Sequence, residues 1–141
     1  MLTQSYDALV VGARIAGATV AALLGDAGYR VLLVDRASFP SATLSTHFFR
    51  GAGLLAVLER LQLLDRVLAL DAPPLLHCCY YNSQTGELLV GPPQEPGMLG
   101  FDLSVRRENL DTILVQRAMC APTVETTFRS SVVALLWEGA V

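Results

Sequence analysis

The feature that most constrains this chain is a glycine-bounded loop set between an apolar run and a helix. Residues 6–11 (YDALVV) form a continuous apolar run of the kind that makes a buried strand. The run ends at Gly12-Ala13-Arg14-Ile15-Ala16-Gly17, which has the form G-x-G-x-x-G with Arg14 at the second glycine. Residues 15–27, rich in Ala and Leu and free of proline, predict a helix, with Gly28 as its C-terminal cap. Residues 30–34 (RVLLV) predict a second buried strand that ends at Asp35. Two such strands around one helix make a βαβ unit with a parallel sheet and a right-handed crossover.

The spacing carries chemistry as well as fold. The first glycine allows a tight turn, and the last lets the helix pack closely on the strand. The helix N-terminus then offers unpaired backbone N–H groups and a positive dipole end to a pyrophosphate. Asp35 lies 18 residues beyond Gly17, where a carboxylate accepts hydrogen bonds from an adenosine ribose. A side chain at Arg14 has two readings: a solvent-facing arginine on the loop, or a charge-assisted contact to phosphate.

Beyond the βαβ unit, residues 37–46 read as a polar loop. Residues 53–70 read as one helix, with leucines at spacings of three and four, stopped by Pro73 and Pro74. Residues 75–82 and 87–90 predict two strands joined by Ser83-Gln84-Thr85-Gly86 in a hairpin. An irregular loop over 91–97, a short strand over 103–105, a helix over 107–120 and a last strand over 131–137 complete the chain. His77 reads as a packed or edge histidine, Cys78 and Cys79 as core filling, and Trp137 and the Phe48-Phe49 pair as packing.

Composition excludes several classes. The chain has 141 residues, 52% hydrophobic and 16% charged, which fits one folded domain and not a disordered segment. The net charge is −3, with no basic patch of the kind that tracks nucleic acid. Cys78, Cys79 and Cys120 lack C-x-x-C spacing, so neither a zinc site nor a disulfide framework is expected, and a reducing cytoplasm is the default. The apolar stretch over 8–34 is interrupted by Arg14, Asp26 and Arg30, which argues against a membrane span. Asp7 and the lack of a preceding Lys or Arg argue against a signal peptide. No G-x-S-x-G is present to support a serine hydrolase.

Four segments together resemble the FAD-dependent monooxygenase family: group A aromatic hydroxylases and the neighbouring geranylgeranyl-reductase-like flavoproteins. They are VVGARIAGATVAALLGDAGYRVLLVDR (10–36), PSATLSTHFFRGAGLLAVLERLQLLDRV (40–67), VRRENLDTIL (105–114) and SVVALLWEG (131–139). The resemblance implies an α/β fold: a Rossmann-like FAD/NAD(P)-binding βαβ domain with a parallel sheet and an added β-hairpin. It implies that Gly12, Ala13, Arg14, Ile15, Ala16 and Gly17 form the pyrophosphate loop of an FAD site. Asp35 would then hold the ribose, Arg36 would lie near the adenine, and Val132 would contact the adenine through its backbone. Arg107 would reach the phosphates or ribityl region, and Thr46 and His47 would fall near the isoalloxazine. Catalytic residues are not assigned, and no metal is implied.

In this family NADH or NADPH reduces FAD, and a flavin C4a-hydroperoxide then hydroxylates or epoxidises a small-molecule substrate. The flavin carries the chemistry and the protein supplies position and electrostatics. Because the family's substrate domain and later flavin motif are not found in residues 1–141, the expectation is the N-terminal part of an FAD-binding domain, truncated and weakly active or inactive alone. The alternatives are the same part of a geranylgeranyl-reductase-like oxidoreductase, or a non-enzymatic nucleotide-binding remnant.

Overall fold

The computed structural model describes residues 5–45, 48–49, 52–91 and 102–137. Within them the chain divides into two compact units: residues 1–42 with 110–141, and residues 43–109.

The first unit holds the expected parallel sheet. Strand β1 (Ala8–Val11), helix α1 (Ile15–Asp26) and strand β2 (Val31–Asp35) follow one another as the glycine spacing predicts. β1 pairs with β2 in parallel, Ala8 opposite Val31 and Val11 opposite Val34. Helix α1 packs through its smallest residues: the buried positions Ala18, Ala21, Ala22 and Gly25 recur at helical spacing and form one stripe. Its end is fixed by backbone bonds that Gly28 makes possible. With φ of +85°, Gly28 donates to the Gly25 carbonyl at 2.9 Å, and Tyr29 donates to that of Leu24 at 3.0 Å. This is the Schellman arrangement, in which a left-handed residue closes the last turn.

In the second unit the expected single helix over 53–70 is two helices, α2 (Ala52–Arg60) and α3 (Leu64–Leu68). The break has a local cause. Gln62 adopts φ of +58°, its N–H donates to the Glu59 carbonyl at 2.9 Å, and Leu63 donates to that of Leu58 at 2.7 Å. A second Schellman closure thus ends α2, and it folds Leu58, Leu61, Leu63 and Val67 into a buried apolar group. Strands β4 (Cys78–Asn82) and β5 (Glu87–Gly91) form the expected antiparallel hairpin. The Asn82 side chain accepts from the Gln84 N–H at 3.0 Å, and Gly86 closes the turn with φ of +73°. Both faces of this hairpin are exposed, Tyr80, Tyr81, Leu88 and Leu89 included. Cys79 is exposed as well, so the expectation that it fills a core does not hold; His77 is exposed, and the Cys78 side chain lies outside the described residues. Strand β3 (Phe48–Phe49) pairs with β6 (Leu103–Ser104), which occupies the expected short strand.

Helix α4 (Arg107–Met119) leads back into the first unit and to strand β7 (Val124–Phe128). Here the structure corrects the sequence reading. The third strand of the parallel sheet is β7, in the order β1-β2-β7. Residues 131–137 form no strand, and Val133, Leu136 and Trp137 are exposed at 94%, 92% and 79%. The β7 segment VETTF is less apolar than 131–137, but its β-branched residues suit a pleated strand. It also finds a partner along its whole length, Val31 opposite Val124 through Asp35 opposite Phe128. Among the described residues nothing pairs with 131–137, so no ladder of hydrogen bonds holds it as a strand. Trp137, expected to pack, is one of the exposed side chains.

No helix among the described residues is long and apolar enough to cross a membrane.

Candidate nucleotide site

The carboxyl ends of β1, β2 and β7 converge on one cleft of about 330 Å3. Open parallel sheets bind ligands at this end of their strands. The cleft is lined by Val11 and Gly12 from the end of β1, by Val34, Asp35 and Arg36 from β2, and by Ser130, Ser131 and Val132 after β7. Gly12, Asp35, Arg36 and Val132, all singled out from the sequence, therefore meet around one space. Ser130 and Ser131 were missed. Their only signal was adjacency to Val132, because the turn that brings them here follows β7, which the sequence reading did not find.

The loop itself is built as the glycine pattern requires. Gly12 has φ of +99°, a left-handed backbone that favours glycine, and it donates to the Val34 carbonyl at 2.7 Å. At Gly17 an added Cβ would lie 1.7 Å from the Gly12 carbonyl oxygen and 3.2 Å from Val10 Cγ1. Only glycine allows helix and loop to approach this closely. Helix α1 has no side-chain cap and no acidic residue in its first turn. The N–H groups of Ile15, Ala16 and Gly17 belong to that turn, and the Ala18 N–H makes its bond to the Arg14 carbonyl at 2.9 Å. An uncapped N-terminus of this kind suits an anion.

Asp35 does more than end a strand. The residue is buried, 7% exposed. One oxygen accepts from the buried Ala13 N–H at 2.6 Å, and the other accepts from the Ala37 N–H at 2.7 Å. An ionised carboxylate has about four acceptor positions, so two bonds leave capacity for hydroxyl donors from the cleft side. The glycine turn, the uncapped helix end and this carboxylate fit the ADP moiety of a dinucleotide.

The Arg14 side chain is 28% exposed, and its guanidinium finds partners within the protein. It bonds to the buried Asp111 carboxylate at 2.8 Å, to the Ser41 carbonyl at 3.0 Å and to the Ser41 hydroxyl at 2.9 Å. It also lies 5.1 Å from the centre of the Phe39 ring, within cation–π range. Asp111 is the aspartate of the R-x-x-L-D helix start in VRRENLDTIL, but the sequence assigns it no role, and its partner lies 97 positions away.

The remaining expected positions are Arg107, Thr46 and His47. Arg107 opens α4 and is described with the second unit, where it is 9% exposed and bonds to the Ser45 hydroxyl, so it is not a surface arginine. Thr46 and His47 lie outside the described residues.

At the opposite, amino end of the sheet a second cleft is lined by Tyr6, Arg30, Thr123 and Glu125 among others. There the Tyr6 hydroxyl donates to Glu125, which raises the phenol's pKa. Next to it the Arg30 backbone N–H donates to Asp7 at 2.8 Å and the Arg30 side chain pairs with it, holding the Asp7 carboxyl below the usual carboxylate range.

Fold and cleft together define a Rossmann-like α/β domain. Residues 10–64 match the family described as NAD(P)-binding Rossmann-like domain. No curated protein sequence matches the chain. Solved structures do, and they share its fold. A myxobacterial chondrochloren halogenase, described as FAD-dependent, superposes with a TM-score of 0.81 at 23% identity, over 95% of this chain and 31% of the halogenase. A geranylgeranyl bacteriochlorophyll reductase-like protein from Thermoplasma acidophilum gives 0.75 at 18% identity, over 94% and 32%. The p-nitrophenol 4-monooxygenase of Pseudomonas putida gives 0.69 at 23% identity, over 86% and 31%. The chain thus spans about a third of the length of these structures.

Proposed function

We propose that this chain binds the ADP moiety of FAD in the cleft at the carboxyl ends of β1, β2 and β7. It would serve as the N-terminal part, residues 1–141, of the FAD-binding domain of an NAD(P)H-dependent monooxygenase acting on a small-molecule substrate. The observation that carries the reading is the convergence of Gly12, Asp35, Arg36 and Val132 on one cleft beside an uncapped helix N-terminus. The N–H groups of Ile15, Ala16 and Gly17 would receive the pyrophosphate, helped by the positive end of α1. Asp35 would accept the ribose hydroxyls while its bond to Ala13 keeps the loop in place. Arg36 and Val132 would flank the adenine. Arg107 is the residue of the second unit proposed to serve the phosphates or ribityl chain, and Thr46 and His47 the isoalloxazine side. When bound, FAD supplies the electron-transfer chemistry; the residues described here bind and orient it.

The similarity to an FAD-dependent halogenase and to a monooxygenase supports the flavin assignment. The Thermoplasma structure supports a second reading, a geranylgeranyl-reductase-like oxidoreductase built on the same nucleotide-binding part.

The test is to purify the chain with excess FAD and record its visible spectrum and melting temperature. A retained flavin spectrum and a rise in Tm with FAD or ADP are expected. Ligand at about 100 times its Kd adds about 2.7 kcal/mol to the folded state. A colourless protein whose Tm neither nucleotide moves would refute the reading.

A further inference from the structure

We infer that Asp111 is a positioning residue for the pyrophosphate loop, acting through Arg14, and that Arg14 itself is a strut and not a phosphate ligand. The inference rests on the nucleotide reading above and specifies how the loop of that site is held.

Arg14 occupies the N-cap of α1, with extended backbone at φ of −79° and ψ of −166°. Its carbonyl accepts the first helical hydrogen bond, from Ala18. Its backbone therefore sets the turn that presents the N–H groups of Ile15, Ala16 and Gly17. Three other features fix the side chain that leaves this backbone. The Asp111 carboxylate, fully buried on α4, takes one guanidinium nitrogen at 2.8 Å. Ser41 takes both terminal nitrogens, through its carbonyl and its hydroxyl. The Phe39 ring lies against the guanidinium plane. The loop is tied in this way to α4 and to the segment after β2.

Charge and direction agree with a strut. A buried carboxylate beside the guanidinium neutralises it, so the attraction for an anion comes from the helix end and not from Arg14. The position normally holds glycine because backbone must approach the phosphates. An arginine is compatible with that approach only if something draws its side chain away. Asp111 does this.

The test compares the native chain with Arg14→Met, Asp111→Ala and the double variant. Arg14→Met takes the guanidinium away from a buried carboxylate, and the double variant removes both charges of the pair together. Affinity for ADP and for adenosine is measured well below each Tm, with amide hydrogen exchange over residues 13–18. The expectation is an ADP Kd about tenfold weaker in all three variants, with the double no worse than either single, as residues acting as one unit behave. Adenosine affinity stays within about twofold, because adenosine has no pyrophosphate to place. Exchange at 13–18 quickens in all three, while the β1 and β2 amides stay protected.

If Asp111→Ala keeps or tightens ADP binding while Arg14→Met weakens it, Arg14 is a phosphate ligand and the inference is overturned. Additive losses in the double variant overturn it too. A native chain that binds no ADP refutes the nucleotide reading instead. The exchange data then decide alone: unchanged rates at 13–18 overturn the positioning role, and coupled acceleration supports it.

Discussion

The buried Ala13 N–H donates to a carboxylate oxygen of Asp35 at 2.6 Å, joining the loop after β1 to the end of β2 across 22 residues of sequence. One residue thus holds the loop and faces the proposed ribose position. Asp35→Ala leaves the Ala13 and Ala37 N–H groups without their acceptors. A buried donor left unpaired costs about 1–3 kcal/mol, so urea denaturation should show a loss in that range. Asp35→Asn keeps one carbonyl oxygen and should lose less. Equal stability of the alanine variant and the native chain would contradict the anchoring role.

Gly17 and Gly25 are required by contact. A Cβ at Gly17 would lie 1.7 Å from the Gly12 carbonyl oxygen, and one at Gly25 would lie 2.5 Å from Val124 Cγ2 and 2.7 Å from Ala121 Cβ. Alanine at either position should destabilise by about 1–3 kcal/mol despite its better helix propensity. The two should differ in binding. Gly17→Ala displaces the loop and should weaken ADP affinity, whereas Gly25→Ala, at the far end of α1, should leave it unchanged. Stabilisation by either alanine in urea titrations would contradict the packing described.

Gln62 sets the break between α2 and α3 with φ of +58°. A residue with a Cβ is disfavoured in that conformation by roughly 1–2 kcal/mol. Gln62→Gly should therefore stabilise the chain, by up to about 1 kcal/mol after the glycine's greater unfolded-state entropy is counted. Denaturant midpoints with an unchanged slope are the measurement; a lower midpoint would contradict it.

Asp7 gives a pH dependence of known sign. Its carboxyl is held below the usual range by the Arg30 backbone N–H and then by the Arg30 side chain. A depressed folded-state pKa means stability that is present above the ordinary carboxylate pKa and lost as pH falls through the folded value. The Tm difference between the native chain and Asp7→Asn should be full near neutrality and shrink as pH drops below about 4. The site is exposed, so the difference is small. A difference that stays constant across this range would contradict the assignment.

The sequence disclosed the parts of the fold that its local chemistry determines. β1, α1 and β2 were legible because apolar runs, a glycine turn and a glycine cap each point to one structure. β7 was hidden because VETTF is held by pairing with β2 and not by its own hydrophobicity, while the more apolar 131–137 is exposed. The leucine spacing runs straight through Gln62, so the Schellman closure there left no trace in the periodicity. At the site, Gly12, Asp35, Arg36 and Val132 could be named from the loop and the resemblance. Asp111 falls in the R-x-x-L-D segment of the resemblance, but its pairing with Arg14, 97 positions away, exists only in the folded chain.

The cleft at the carboxyl ends of the three parallel strands is the centre of the account, and its most direct test is an ADP titration followed by backbone amide resonances. The account predicts saturable shifts at Gly12, Ile15, Ala16, Gly17, Arg36 and Val132. The amides at the opposite cleft, Tyr6, Arg30 and Glu125, should stay fixed. Shifts confined to that amino end, or none at concentrations reaching the millimolar range expected of a weak ligand, about −4 kcal/mol, would contradict it.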